Sequence, residues 1–236
     1  MGGFPVKKRT LMFALNIMSL ILLGIVLQIG GAYIVNAAVE ILGGGSASAG
    51  AATEAAMDYR DFMESIRAIE PRRFVHIIFV APLVEEIVFR LIFLRASRMI
   101  MPFWAANLVQ AVLFAIYHTV SIQRIYAFVM GLIVGCVFYY CPVIYRKAYS
   151  VSTDERDLAS PVSGIAKKEA AGLLDLPNCL IGVAFTFLLH VVINSAGLFI
   201  TPLMPADIPY SYQFAIGSIL MIIASVAVFS LFRRSK

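Results

Sequence analysis

The chain has 236 residues, of which 61% are hydrophobic and only 14% charged, whereas soluble domains are about a quarter charged. An aqueous core of this size cannot bury so much apolar surface. The composition excludes an ordinary soluble domain and favours an all-α bundle of membrane-spanning helices, a multi-pass protein of the cell membrane. The net charge of +5 comes mainly from Lys and Arg beside apolar runs, which indicates contact with anionic membrane lipids rather than nucleic acid.

Six apolar stretches approach the roughly 20 residues that a membrane span needs. In chain order they are 11–36, 74–94, 99–120, 125–145, 178–201 and 211–232. The first is too long for the ~7–15-residue apolar region of a signal peptide, so it is predicted to be a helix. We see no repeat or second domain and expect residues 1–236 to form a single membrane domain.

Two polar connections separate these stretches. The segment 59–69 has apolar residues at helical spacing among charges, which predicts an amphipathic helix at the membrane interface. The segment 146–177 is predicted to be a solvated polar loop. If both termini are cytoplasmic, most basic residues near the span ends lie on the cytoplasmic side of the membrane. This bias favours that orientation, with about six transmembrane helices.

The second stretch contains ionisable side chains, which cost roughly 2.5 kcal/mol or more each inside a membrane and therefore mark functional sites. Glu86 and Arg90 are four residues apart and are predicted to form an ion pair on one helical face. Glu85 lies about 100° around the helix, where it can face a cavity and take a proton from water. Pro82 is expected to disrupt the helix and admit water.

Two further motifs lie in other stretches, Phe114 with His118 and His190 with Asn194. Within each, the two residues are predicted to share a helical face, so Phe114 can orient the imidazole of His118. Two histidines and a carboxylate, Glu85, can hold a divalent metal such as zinc with an open water position. Alternatively Glu85 and His118 activate water directly, while His190 and Asn194 donate hydrogen bonds to the oxyanion.

Each of these groups also has a structural interpretation. A lone histidine inside a membrane more often bonds to a backbone carbonyl than it takes part in catalysis, and a lone Glu–Arg pair more often bridges packed helices. Three polar groups on three different spans favour a functional site over packing. The three cysteines, Cys136, Cys141 and Cys179, form no paired motif and are predicted to be buried small residues.

The combined motifs resemble the CAAX protease and bacteriocin-processing family (CPBP, or Abi), which includes type II CAAX prenyl proteases. The resemblance covers about residues 74–201, the predicted catalytic core, and rests on Glu85, Glu86, Arg90, Phe114, His118, His190 and Asn194. It implies an intramembrane endopeptidase. The implied substrate is a membrane-associated protein or peptide, either a prenylated CAAX-type protein or a bacteriocin-like peptide.

The resemblance also implies a role for each motif residue. Glu85 and His118 activate the attacking water, and His190 and Asn194 stabilise the oxyanion. Glu86 assists them or, with its ion-pair partner, holds the architecture. Both a zinc-dependent and a metal-free glutamate mechanism are consistent with the family.

Two other functions are compatible with the same residues. A non-proteolytic membrane scaffold or a bacteriocin self-immunity protein would keep the family fold and use the buried polar residues for packing or partner docking. An ion or proton transporter would use Glu85 and Glu86 as a relay, but it does not explain the two histidine motifs. The intact set of motif residues favours the peptidase.

Overall fold

The structure of the protein, a computed structural model, describes residues 6–43, 61, 71–119, 121–149, 176–205 and 208–235. Every regular element in these residues is helical. The long helices are α1 (Val6–Gly43), α2 (71–98), α3 (Phe103–Tyr117), α4 (Ser121–Tyr149), α5 (Leu176–Phe199) and α6 (Tyr210–Ser235). A short 3-10 turn, Thr201–Leu203, follows α5.

Among the described helices, four are long and apolar enough to cross a membrane. These spans are Phe13–Ala38, Gln123–Pro142, Leu176–Leu203 and Tyr210–Ser230. The predicted all-α membrane fold is confirmed. The predicted span 99–120 contains a helix of only 15 residues, α3, which is about 22 Å long against the roughly 30 Å of a bilayer core. The helix that carries His118 at its end therefore stops short of a full crossing.

The largest apolar core joins α1, α4, α5 and α6, with Leu27, Val137 and Leu189 fully buried in it. Helix α2 lies against α3 and α5 at one side of this core. A smaller apolar cluster of Phe89, Phe114 and Ala127 joins α2, α3 and α4. The motif-bearing helices α2, α3 and α5 are thus packed next to one another.

Polar side chains of α3 fix its position along the axis of α4. The amide of Asn107 donates to the carbonyl of Leu132 at 3.0 Å, and the amide of Gln110 donates to the carbonyl of Gly131 at 2.7 Å. A Cβ on Gly135 would overlap the side-chain oxygen of Asn107, so glycine is needed for this close approach. Small residues and interhelical hydrogen bonds are the usual means of packing membrane helices.

Helix α2 is continuous, but its backbone alternates between α-helical and π-helical turns. It is α-helical at Pro71–Val75, Ala81–Glu85 and Arg95–Arg98, and it has wider π-helical turns at His76–Val80 and Glu86–Leu94. The disruption expected at Pro82 therefore takes the form of widening rather than a break. A proline lacks an N–H and crowds the preceding turn, and wider turns give its ring more room. Such turns are rare and occur frequently at functional sites.

Two predicted segments fall mainly outside the described residues. The amphipathic helix 59–69 does so except for Asp61, and the polar loop 146–177 does so over residues 150–175. The first residues of that predicted loop, 146–149, belong to the end of α4, and its last two open α5. The cysteines Cys136, Cys141 and Cys179 are all buried, as predicted.

Candidate active site

Glu86 and Arg90 form a buried ion pair on α2. Their closest atoms, Oε1 and Nη1, are 3.2 Å apart, and both side chains are fully buried, which confirms the predicted pairing. The guanidinium carbon of Arg90 also lies 4.5 Å from the ring centroid of Phe114, in a cation–π contact. Because each charge is compensated within the bundle, removing one partner should cost about 3–5 kcal/mol.

His190 connects this ion pair to Glu85. Its Nδ1 is 2.8 Å from Oε1 of Glu86, and its Nε2 is 3.5 Å from Oε2 of Glu85. The sequence analysis did not predict either contact, because His190 lies 104 residues beyond Glu86 in the chain and no spacing rule links them. The four side chains form a continuous series of contacts from Arg90 through Glu86 and His190 to Glu85.

The hydrogen bonds of His190 determine where its proton lies. An ionised carboxylate only accepts, so Nδ1 carries the hydrogen that is donated to Glu86. A neutral ring would then present the lone pair of Nε2 to Glu85, and attraction between the two requires a proton on Nε2 or on the carboxyl oxygen. Glu85 and His190 are therefore placed to share a proton. The side chains of Glu85 and His190 are 12% and 11% exposed, whereas those of Glu86 and Arg90 are fully buried, so only Glu85 and His190 have any exposed surface.

His118 is fixed by the end of α3. The helix stops at Tyr117, and Nδ1 of His118 lies 2.8 Å from the carbonyl oxygen of Phe114, a carbonyl left available at the helix end. Since the carbonyl accepts, Nδ1 carries the hydrogen and Nε2 of the neutral ring keeps a lone pair. The ring of His118 also packs edge-on against Phe114 at 4.8 Å, as the sequence predicts. Glu85 lies close enough to His118 to interact electrostatically.

Phe114 forms the common wall of this site. It is almost fully buried, and its ring contacts Arg90 as well as the imidazoles of His118 and His190, the latter at 6.1 Å between centroids. One aromatic ring thus fixes the relative positions of residues from α2, α3 and α5. The structure brings Glu85, Glu86 and His190 into direct contact, and it packs His118 against the same Phe114 ring.

Asn194 lies one turn beyond His190 on α5 but contacts a different part of α2. Its Nδ2 donates to the backbone carbonyl of Ile77 at 2.9 Å. The sequence analysis predicts a hydrogen bond from this amide to the oxyanion of a substrate, and that role stays a prediction. In this structure the amide donates a hydrogen bond to the backbone of α2.

Arg124, near the start of α4, is a residue that the sequence analysis missed. Its Nε donates to the carbonyl of His118 at 2.8 Å, and its Nη2 donates to the carbonyl of Thr119 at 3.3 Å. The sequence analysis treated it only as a basic residue near a span end. Its place in the first turn after the His118 motif is the one signal that could have indicated this role.

Metal binding was predicted for Glu85, His118 and His190. In the part of the chain that the structure describes, no group of three His, Cys, Asp or Glu residues is placed to hold a metal ion. Nδ1 of each histidine is engaged in a hydrogen bond, and Nε2 of His190 faces Glu85. Zinc binding by these three residues stays a prediction.

Residues 70–145 match the family described as type II CAAX prenyl endopeptidase Rce1-like. The chain carries an Rce1-like segment. It contains the first two motifs, from Glu85 to His118, and confirms the family resemblance there, while His190 and Asn194 lie beyond its end. Neither the curated proteins nor the solved structures include a match to the chain. The Rce1-like segment, together with four apolar spans, supports a membrane protein of the CAAX-type endopeptidase class.

Proposed function

We propose that this protein is a multi-pass endopeptidase of the cell membrane that hydrolyses a peptide bond in a membrane-associated protein or peptide. The observation that carries the proposal is the contact of His190 with both Glu85 and Glu86, next to the His118 motif of an Rce1-like segment. A purely structural role would need only the buried ion pair of Glu86 and Arg90. The additional partly buried carboxylate of Glu85, in contact with the buried imidazole of His190, favours proton transfer.

In the proposed mechanism, His190 begins as an imidazolium that is held by the two glutamates. Glu85 takes a proton from water, and Nε2 of His118 accepts a hydrogen bond from the same water. The resulting hydroxide adds to the carbonyl carbon of the scissile peptide bond. Once Glu85 is neutral, the Nε2–H of His190 is released to donate to the new oxyanion.

The second half of the reaction returns the site to its first state. The oxyanion collapses, the carbon–nitrogen bond breaks, and Glu85 gives its proton to the departing amine. His190 then turns its Nε2–H back to the ionised Glu85. Glu86 and Arg90 remain charged throughout and hold the imidazole in place. The net change is one water consumed, with one carboxyl and one amine product formed.

The proposed substrate is a prenylated CAAX-type protein, the class that the matched family's description names. Apolar side chains near the site are exposed on the outside of the bundle, namely Leu83, Val84, Ile87, Ile116 and Tyr117. Lipid contacts such a surface, and a lipid-modified chain can reach it from the bilayer. A bacteriocin-like peptide is the second substrate class to test.

Cleavage by the purified protein tests this proposal. A prenylated CAAX-type reporter peptide in proteoliposomes should be cleaved, and both Glu85→Gln and His118→Ala should abolish turnover while the protein still folds. Asp61→Asn and His76→Ala are matched controls, because both residues are ionisable and exposed. Turnover retained in Glu85→Gln and His118→Ala contradicts the mechanism. Folded protein that cleaves neither a prenylated nor a bacteriocin-like peptide favours the non-proteolytic scaffold.

A further inference from the structure

Pro82 leaves one backbone carbonyl of α2 without its helical partner. In the wide turn before the proline, the N–H of Ala81 donates to the carbonyl of His76, five residues earlier. By the same pattern, the carbonyl of Ile77 would receive the N–H of residue 82. A proline has no N–H to give, and a carbonyl inside a membrane protein must find another donor.

Asn194 supplies that donor from a neighbouring helix. Its side-chain amide lies 2.9 Å from the carbonyl oxygen of Ile77, where the missing N–H would otherwise bond. Pro82 is buried, and Asn194 is partly buried, so this hydrogen bond lies within the bundle. The amide of α5 thus completes the backbone hydrogen bonding of α2.

The same face of α5 holds α2 at a second point. His190, one turn before Asn194, contacts Glu86 and Glu85, which lie two turns after Ile77 on α2. The two helices are antiparallel here, since the earlier residues of one meet the later residues of the other. Two separate attachments prevent α2 from sliding along α5 and from rotating about its own axis.

We propose that Asn194 is a positioning residue that acts through the carbonyl of Ile77, and that its importance depends on Pro82. It holds the wide turn of α2 at the position along α5 at which Glu85 contacts His190. The effect on turnover rests on the proposed peptidase function, whereas the hydrogen-bond replacement does not. A residue that only donated to an oxyanion would matter equally with or without the proline.

The dependence on Pro82 can be measured with four proteins: the unaltered chain, Asn194→Leu, Pro82→Ala and the double variant. Alanine at position 82 restores a backbone N–H, so the carbonyl of Ile77 no longer needs Asn194. With Pro82 present, Asn194→Leu should lower kcat by about tenfold or more while KM changes by less than about threefold. The double variant should cleave within about threefold of Pro82→Ala alone.

An equal loss of kcat in both backgrounds overturns the proposal. Asn178→Leu is the matched control, because Asn178 is a buried amide on the same helix and Pro82→Ala should not rescue it. Rescue of both asparagine variants would show a general effect of Pro82→Ala and would also overturn the proposal. Pro82→Ser restores the same N–H and replaces Pro82→Ala if that variant does not accumulate.

Thermal unfolding in detergent separates this inference from the proposed function. Asn194→Leu should lower Tm strongly when Pro82 is present and only slightly in the Pro82→Ala background, whether or not a substrate is known. If no peptide is cleaved but this difference is seen, the peptidase assignment fails and the positioning role stands. Equal decreases in Tm in both backgrounds overturn the positioning role itself.

Discussion

Nδ1 of His190 lies 2.8 Å from Oε1 of Glu86, which is fully buried and also paired with Arg90. Glu86 cannot reach bulk water, so its effect on a reaction is exerted through the imidazole that it holds. The neighbouring Glu85 contacts the other nitrogen of the same ring and is partly exposed. Two adjacent glutamates therefore have different environments, and each should respond differently to substitution.

Glu85→Gln should remove activity without removing the fold. The amide keeps the size of the side chain but cannot take a proton from water, so turnover should fall at least about 100-fold. The side chain is not part of the buried ion pair, so Tm in detergent should change little. Cleavage of a reporter peptide and thermal unfolding of the same preparation check both parts. A large loss of Tm would instead make Glu85 a structural residue.

Glu86→Gln should reduce both activity and stability. It leaves the charge of Arg90 buried without its carboxylate, at a cost of about 3–5 kcal/mol in the free energy of unfolding. The double variant Glu86→Leu with Arg90→Met removes both charges and should regain most of that stability. It should stay inactive, because His190 has lost its acceptor. Activity in this stable double variant would show that anchoring His190 is unnecessary.

Arg124→Gln should slow turnover through His118. The guanidinium holds the carbonyls of His118 and Thr119, and without it the imidazole is less well placed, so kcat should fall by about tenfold. Arg124 is exposed, so Tm should change little. Arg72→Gln provides a control of the same charge change, since Arg72 is also exposed. Equal rates in the two variants would contradict a role for Arg124.

Removal of metal tests the predicted zinc set. Because the described side chains place no group of three ligands around one point, peptide cleavage should survive dialysis against EDTA. Zinc analysis of the active protein should then give much less than one ion per chain. Loss of activity that added zinc restores, together with loss of zinc in His118→Ala, would instead assign Glu85, His118 and His190 as ligands.

Features that depend on neighbouring residues in the chain were predictable. Glu86 and Arg90 are paired because side chains four residues apart meet on one helix. The contact of Phe114 with His118 was predicted from the same spacing, and it forms although His118 lies just beyond the end of α3. The apolar spans follow from local hydropathy. The family resemblance, predicted over about 74–201 and matched over 70–145, likewise depended on short motifs. The different exposure of Glu85 and Glu86 follows from their separate directions around α2.

Only the tertiary structure decided which helices pack together and how far each is displaced along its neighbour's axis. The bonds from His190 to Glu86 and from Asn194 to Ile77 join α2 to α5, which are separated by 104 and 117 residues at these contacts. Their formation depends on how far the helices slide and rotate against each other, and this is set by packing across the whole bundle. The widened turns around Pro82 also belong here, because the proline removes a donor and Asn194 of a second helix donates to the carbonyl of Ile77. The sequence by itself thus determined which residues are polar inside the membrane, and the packed bundle determined which of them touch.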